Sequence, residues 1–301
     1  MFFKTLAAVM IFLSWFCNSN DLFAQSSDIP TRTDNNVIIA SYNIKWFGQL
    51  NHDYKKLAEV IQNFDVCGIL EIKVETDLTE LVDKLNNLTG KEWGYAFGMR
   101  THRPHGTYYE AYGVVWRKDR VEIGNGLVSN LWDLEEAYRN DPYLVSFKSK
   151  NFDFLLFLVH TRWSADDYGN RENEVRMIVD KIDFIKHITD ERDIIVAGDF
   201  NYSGTNAVME EMASDAGLTQ IDPNQKSTFK SNYSGYASSY DHIFISDSDT
   251  QEYISPQSAV LDVTRIIYGN NSVENMKKSK SELSDHLPIW AVFNTSMPDD
   301  D

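Results

Sequence analysis

The chain has 301 residues, with 28 Lys and Arg against 45 Asp and Glu, a formal net charge of −17 at pH 7. Its 43% hydrophobic and 24% charged content is globular and excludes a disordered chain, and 15 Gly and 7 Pro exclude a collagen-like one. The acidity also excludes a protein that coats DNA through a basic surface in bulk, while leaving room for local basic strips.

Residues 1–24 read as a secretory signal peptide, with Lys4 ahead of the apolar run Leu6 to Cys17 and a small residue, Ala24, at the expected cleavage point. That run is about a dozen residues, short of the roughly 20 needed to span a bilayer. A buried N-terminal helix and lipid attachment at Cys17 are the alternatives. Removing residues 1–24 leaves Cys67 as the one cysteine, which excludes an intrachain disulfide. Its apolar neighbours, Val66 and Gly68 to Leu70, make it a small core residue. Residues 25–35 read as a polar linker, 36–295 as one domain and 296–301 as an acidic tail.

Within that domain, strand-like runs fall at Val37–Ile44, Val66–Glu71, Tyr112–Trp116, Phe152–His160, Asp193–Asp199, Tyr240–Ile245 and His286–Phe293. Several are continuously apolar, as for strands covered on both faces. Leu57, Val60, Ile61 and Phe64 share a helical face. So do Leu78, Leu81, Val82, Leu85 and Leu88, and Val175, Ile178, Ile182 and Ile185. Some strands follow one another without a helix between them. The expectation is an α/β fold of mixed sheets packed face to face, with helices outside.

The strands end in chemically capable residues: Asn43, Glu71, His160, Asp199 with Asn201 two residues on, Asp241, and Asp285-His286. One such residue is ordinarily a cap or turn former. Six termini meeting at one rim would need partners or a metal. Oxygen donors such as Glu71, Asp285 and Asn43 suit Mg²⁺, Mn²⁺ or Ca²⁺. No Cys/His zinc spacing, phosphate-binding Gly-rich loop or Gly-x-Ser-x-Gly elbow occurs. Two strand-end histidines instead suggest a general base and a general acid about an attacking water.

Asn43 in Ser-Tyr-Asn-Ile, Glu71, His160, Gly198-Asp199-Phe200-Asn201, Tyr240-Asp241-His242 and Ser284-Asp285-His286-Leu287-Pro288 occur in an order that resembles the endonuclease/exonuclease/phosphatase superfamily. The resemblance spans 36–294 and implies a four-layer α/β sandwich of two packed mixed β-sheets flanked by helices. Tyr108 and Glu110, before Ala111–Arg117, resemble the secreted deoxyribonuclease I branch, with Tyr109 in place of its Lys. Leu70 stands where many members have Gln, and the cysteines of that branch are missing.

The resemblance implies that Glu110 orients His160, which protonates the leaving oxygen or hydrogen-bonds the phosphate, and that Asp241 orients His286, the base toward water. It implies Glu71 as metal ligand with Asn43 and Asp285 close by, and Asp199 and Asn201 positioning phosphate, metal or nucleophile. Lys73 takes the place of a minor-groove Arg, Tyr108 would stack on the substrate, and Arg162 with Trp163 would flank the phosphodiester. His242 is expected to support rather than catalyse, and Trp46 and Phe47 to pack at the rim. The function implied is a secreted Mg²⁺- or Mn²⁺-dependent endonuclease, with Ca²⁺ a further candidate ion, cutting DNA with little sequence preference. It needs no stable protein partner and is expected to be a monomer without a transmembrane segment. A secreted phosphodiesterase on a lipid or small ester, and a noncatalytic binding module, are the competing functions.

Overall fold

The computed structural model describes residues 32–99, 110–131, 138–163 and 168–299. The expected signal peptide, including Cys17, lies outside them, as does Tyr108. Of the expected linker, Arg32 is tied down: its Nε donates to Asp65 Oδ1 at 2.7 Å and its Nη2 to the Gln62 and Phe64 carbonyls.

Twelve strands and six helices appear among the described residues. The first sheet holds β1 (Asn36–Phe47), β2 (Val66–Ile72), β3 (Trp93–Phe97), β4 (Ala111–Arg117), β11 (Tyr253–Val260) and β12 (Ile289–Asn294), in the order β11-β12-β1-β2-β4-β3. The second holds β5 (Glu122–Asn130), β6 (Tyr143–Ser149), β7 (Phe152–His160), β8 (Ile194–Asp199), β9 (Leu218–Ile221) and β10 (Asp241–Ser246), in the order β5-β6-β7-β8-β10-β9. Each sheet has one parallel pair near its centre, β1 with β2 and β7 with β8, and antiparallel pairs elsewhere. The expected face-to-face mixed sheets are therefore present, and helices flank them.

The helices are α1 (Tyr54–Ile61), α2 (Glu75–Thr89), α3 (Tyr168–Ile188), α4 (Ala207–Ala216), α5 (Val263–Tyr268) and α6 (Val273–Glu282). The apolar faces read from the sequence are the buried ones: Leu57, Val60 and Ile61 on α1, Leu78, Leu81 and Leu85 on α2, Val175, Ile178, Ile182 and Ile185 on α3. Leu88, at the end of the α2 stripe, is exposed. Asp53, Asn206, Asp262 and Ser272 cap the starts of α1, α4, α5 and α6 by accepting backbone N–H bonds, and Gly90 and Gly217 close α2 and α4 in the left-handed conformation. Cys67 is a free, fully buried thiol, and burial pushes its pKa up.

Two core clusters result. One fills the space between the sheets and reaches α1 and α2. The other packs α3 and α4 against the outer face of the second sheet. No helix among the described residues is long and apolar enough to cross a membrane.

Candidate active site

Strand register builds the site. Across the second sheet His160 of β7 pairs with Asp199 of β8, and Asp199 pairs with Asp241 of β10. Residues in register on neighbouring strands point to the same face, so the three side chains stand in a row. From the first sheet come Asn43 of β1 and Glu71 of β2, with Glu110 immediately before β4. His286 was expected to open the last strand. That strand starts at Ile289, and His286 sits in the preceding turn, bridged to Thr228. Pro288 has no N–H to pair, which delays the ladder.

These elements enclose a cleft of about 580 Å³ whose walls include Glu71, His160, Asp199, Asn201 and His286. His160 Nδ1 lies 3.1 Å from Glu110 Oε2, and His286 Nδ1 lies 2.8 Å from Asp241 Oδ2. With Nδ1 turned to a carboxylate, each ring aims Nε2 at the cleft. The two Nε2 atoms converge on one oxygen, Asp199 Oδ2, at 3.8 Å and 3.6 Å. Burial by itself would lower both imidazoles. It is outweighed at His160 by Glu110, Asp199 and Glu71, which push its pKa up to about 9. At His286, Asp241, Asp199 and Asp285 do the same, to about 10.

The orienting carboxylates are themselves fixed. Glu110 accepts from Lys73 Nζ and Asn140 Nδ2, both at 3.2 Å, and Asp241 accepts from Ser227 Oγ at 2.5 Å. Asn43 Nδ2 donates to Glu71 Oε1 and Asp199 Oδ2, both at 3.0 Å, and Glu71 Oε2 accepts from the Trp46 N–H. Asn201 donates its N–H to Asp199 Oδ1 and its Nδ2 to the Thr161 carbonyl. Trp46, Glu71 and Asn201 have φ of 46, 62 and 53°, in the left-handed region where a side chain costs strain that functional sites retain.

The donor set fits a hard divalent cation. Glu71, Glu110 and His160 form one group of potential ligands, and Asp199, Asp241 and His286 a second. Asn43 Oδ1, beside Glu71 and Asp199, is a buried acceptor with no hydrogen-bond partner. Burial raises the Asp199 pKa, and Asp241 adds to it against the pull of His286 and His160. Several buried carboxylates around an orphaned carbonyl oxygen are a surplus of negative charge that an ion would settle.

Three sequence expectations change. Asp285 Oδ2 is held by Lys45 Nζ at 2.6 Å, so its charge already has a partner, and it lies outside both ligand groups. Lys73 is half-buried behind the site on Glu110 and does not line the cleft. Arg162 turns its Nε onto Glu174 of α3 at 2.8 Å, and the exposed Trp163 lines the wall instead. Of the two aromatics expected at the rim, Phe47 is buried in the core, whereas Trp46 faces the cleft. His242 turns its Nε2 to the Tyr202 and Ser239 carbonyls, away from the row of His160, Asp199 and Asp241.

Lys45, Arg139, Asn140 and Ser227 were missed. Lys45 could have been found, because strand alternation carries it to the side of β1 that Asn43 occupies. Arg139, Asn140 and Ser227 lie in loops and carry no periodic signal.

Comparison with known proteins adds a family. The model described as Endonuclease/Exonuclease/phosphatase family matches residues 40–286. The chain is similar to a deoxyribonuclease of Thioalkalivibrio sp. (strain K90mix), 25% identical over 281 residues, covering 88% of this chain and 73% of that protein. It is also similar to deoxyribonuclease-1 of Canis lupus familiaris, 24% identical over 266 residues, covering 83% and 89%. An endonuclease/exonuclease/phosphatase family protein from Bacteroides thetaiotaomicron shares the fold, with TM-score 0.58, 18% identity and coverage of 87% and 98%. So does a mannosyl-6-phosphatase of B. thetaiotaomicron VPI-5482, at TM-score 0.58, 18% identity and coverage of 85% and 98%.

Proposed function

The chain belongs to the Endonuclease/Exonuclease/phosphatase family and is a phosphodiester hydrolase, and on that premise we propose that it is a secreted, divalent-metal-dependent endonuclease that cuts DNA with little sequence specificity. One observation carries the reading: two carboxylate-oriented imidazoles meet across a single buried carboxylate, with a second carboxylate and an orphaned amide oxygen beside it. The deoxyribonuclease names of two relatives that align over most of the chain support DNA as the substrate.

In this reading His286 Nε2 takes the proton of the attacking water, and Asp241 stabilises the imidazolium that forms. His160, held as an imidazolium by Glu110 at its Nδ1, gives its Nε2 proton to the leaving oxygen. The Asn201 backbone N–H fixes the Asp199 carboxylate, and the Asn43 side-chain amide fixes both Asp199 and Glu71. Glu71 and Asn43 Oδ1, with Asp199 adjacent, would hold the cation, which supplies Lewis-acid charge at the phosphoryl oxygens. A cation at Asp199 would weaken one of the attractions that raise His286 and so favour the neutral imidazole that a base requires. Contacts to phosphate carry no sequence information, which accounts for low specificity.

A plasmid-nicking assay with Mg²⁺, Mn²⁺ or Ca²⁺, repeated with EDTA, tests the reading beside a sphingomyelin assay. Nicking that EDTA abolishes is expected. Lipid turnover without nicking transfers the site to the lipid phosphodiesterase function. Secretion is tested separately by N-terminal sequencing of exported protein, which should begin at Gln25.

A further inference from the structure

In a protein of charge −17, α6 is a helix that gathers three lysines near the cleft. The helix carries Lys277, Lys278 and Lys280 beside two acids, and both acids are engaged elsewhere on the helix or beyond it. Glu274 pairs with Lys278 at 2.9 Å, and Glu282 pairs with Lys56 of α1. Lys277 and Lys280 form no ion pair with a carboxylate among the described residues. Instead both ammonium groups lie over one aromatic ring, that of Tyr233, at 5.6 Å and 5.9 Å from its centroid.

The ring is set there by its own turn. Tyr233 takes φ +59°, its N–H donates to the Lys230 carbonyl, and the Lys230 N–H donates back to the Gly235 carbonyl. Two like charges gathered on one ring repel each other, and cation–π contacts at an exposed site offset only part of that repulsion. Lys280 also lines the catalytic cleft, next to Phe229 and Thr228. The strip therefore runs from the cleft through Lys280 and Tyr233 to Lys277 without a break.

We propose that Lys280, Tyr233 and Lys277 form a track for the sugar–phosphate backbone of the strand being cut, engaging phosphates beyond the scissile one. This rests on the nuclease reading and adds to it where the strand leaves the cleft. Charge complementarity selects the occupant: two cations outside any ion pair among the described residues and continuous with the cleft, on a molecule of net charge −17, fit a phosphodiester chain. Lys278, turned onto Glu274, is outside the track.

The test is binding of a fluorescently labelled DNA duplex in EDTA, read by anisotropy across a salt series, with nicking rates in Mg²⁺ alongside. The double variant Lys277→Gln/Lys280→Gln should weaken binding on the order of tenfold near 0.1 M salt. It should also flatten the slope of log K against log salt by about 2, since each phosphate that a lysine neutralises adds close to 0.9 to that slope. The control Lys84→Gln/Lys278→Gln removes the same charge from lysines already paired with Glu80 and Glu274, and should keep the native slope. Equal slopes for the two double variants, in a protein that nicks DNA, overturn the track and leave the nuclease reading standing. A native protein that neither binds nor nicks DNA overturns both.

Discussion

Gly198 sits at φ +147°, and a Cβ built there would lie 1.9 Å from the Val159 carbonyl oxygen of the parallel neighbour β7. No side chain can relieve that contact, because the obstacle is backbone. Gly198→Ala should therefore destabilise the protein by about 3 kcal/mol or more, read from the denaturant midpoint. A midpoint unchanged from the native protein would mean that the His160–Asp199 register is softer than described. At the reacting groups, His160→Ala and His286→Ala should each lower kcat by about 10²- to 10⁴-fold with a much smaller change in KM for DNA. The double variant should fall well short of the product of the two losses, since the residues act as a unit. Near-native turnover in both single variants would remove the acid–base scheme. Most of the candidate site residues were legible from the sequence because they lie at the ends of apolar strands, where a charged side chain is conspicuous. The directions of Lys73 and Arg162 were not, because Glu110 and Glu174, distant in sequence, capture them.

Strand visibility follows position in the sheet. The runs read from the sequence include β1, β2, β7 and β8, the central strands buried on both faces. The four edge strands, β3, β5, β9 and β11, escaped notice. Each has one neighbour and a partly exposed face, so β5 and β11 mix Gly, Ser, Pro and Asn among their apolar residues and lack a continuous run. β6 was missed for another reason: it is buried, but Ser146 and Lys148 interrupt its apolar pattern. Among the helices, α3 was legible as packing but not in what it does for the site. Its Glu174 is fully buried and accepts from the backbone N–H groups of Arg139 and Arg162 as well as from Arg162 Nε, so one helix residue ties two loops that border the cleft. Glu174→Gln replaces one acceptor oxygen with an amide that faces donors. It should cost about 2–3 kcal/mol of stability and raise KM more than it lowers kcat, because Arg139 and Trp163 line the wall these loops form. A kcat loss with unchanged KM would place Glu174 in the chemistry rather than behind it.

Protons held by His160 and His286 make the stability of the whole molecule depend on pH. Their folded pKa values, about 9 for His160 and about 10 for His286, lie above the ordinary 6.5 that the unfolded chain returns to. The folded state thus holds protons that the unfolded state releases. Their contribution is complete below pH 6.5 and is lost as pH rises through 9 to 10. In EDTA, where no cation takes over the role of those protons among Glu71, Glu110, Asp199 and Asp241, the melting temperature should fall between about pH 7 and pH 10.5. The same series on His160→Asn/His286→Asn should be flatter, because the neutral amides carry no proton to lose. Added Mg²⁺ or Mn²⁺ should raise the melting temperature most at the alkaline end, where the carboxylates have lost their imidazolium partners and ligand binding is linked to the folded state alone. Differential scanning fluorimetry across this range decides the matter. A native melting temperature that stays level or climbs up to about pH 10.5 without metal would mean the two imidazoles are not held charged by the surrounding carboxylates.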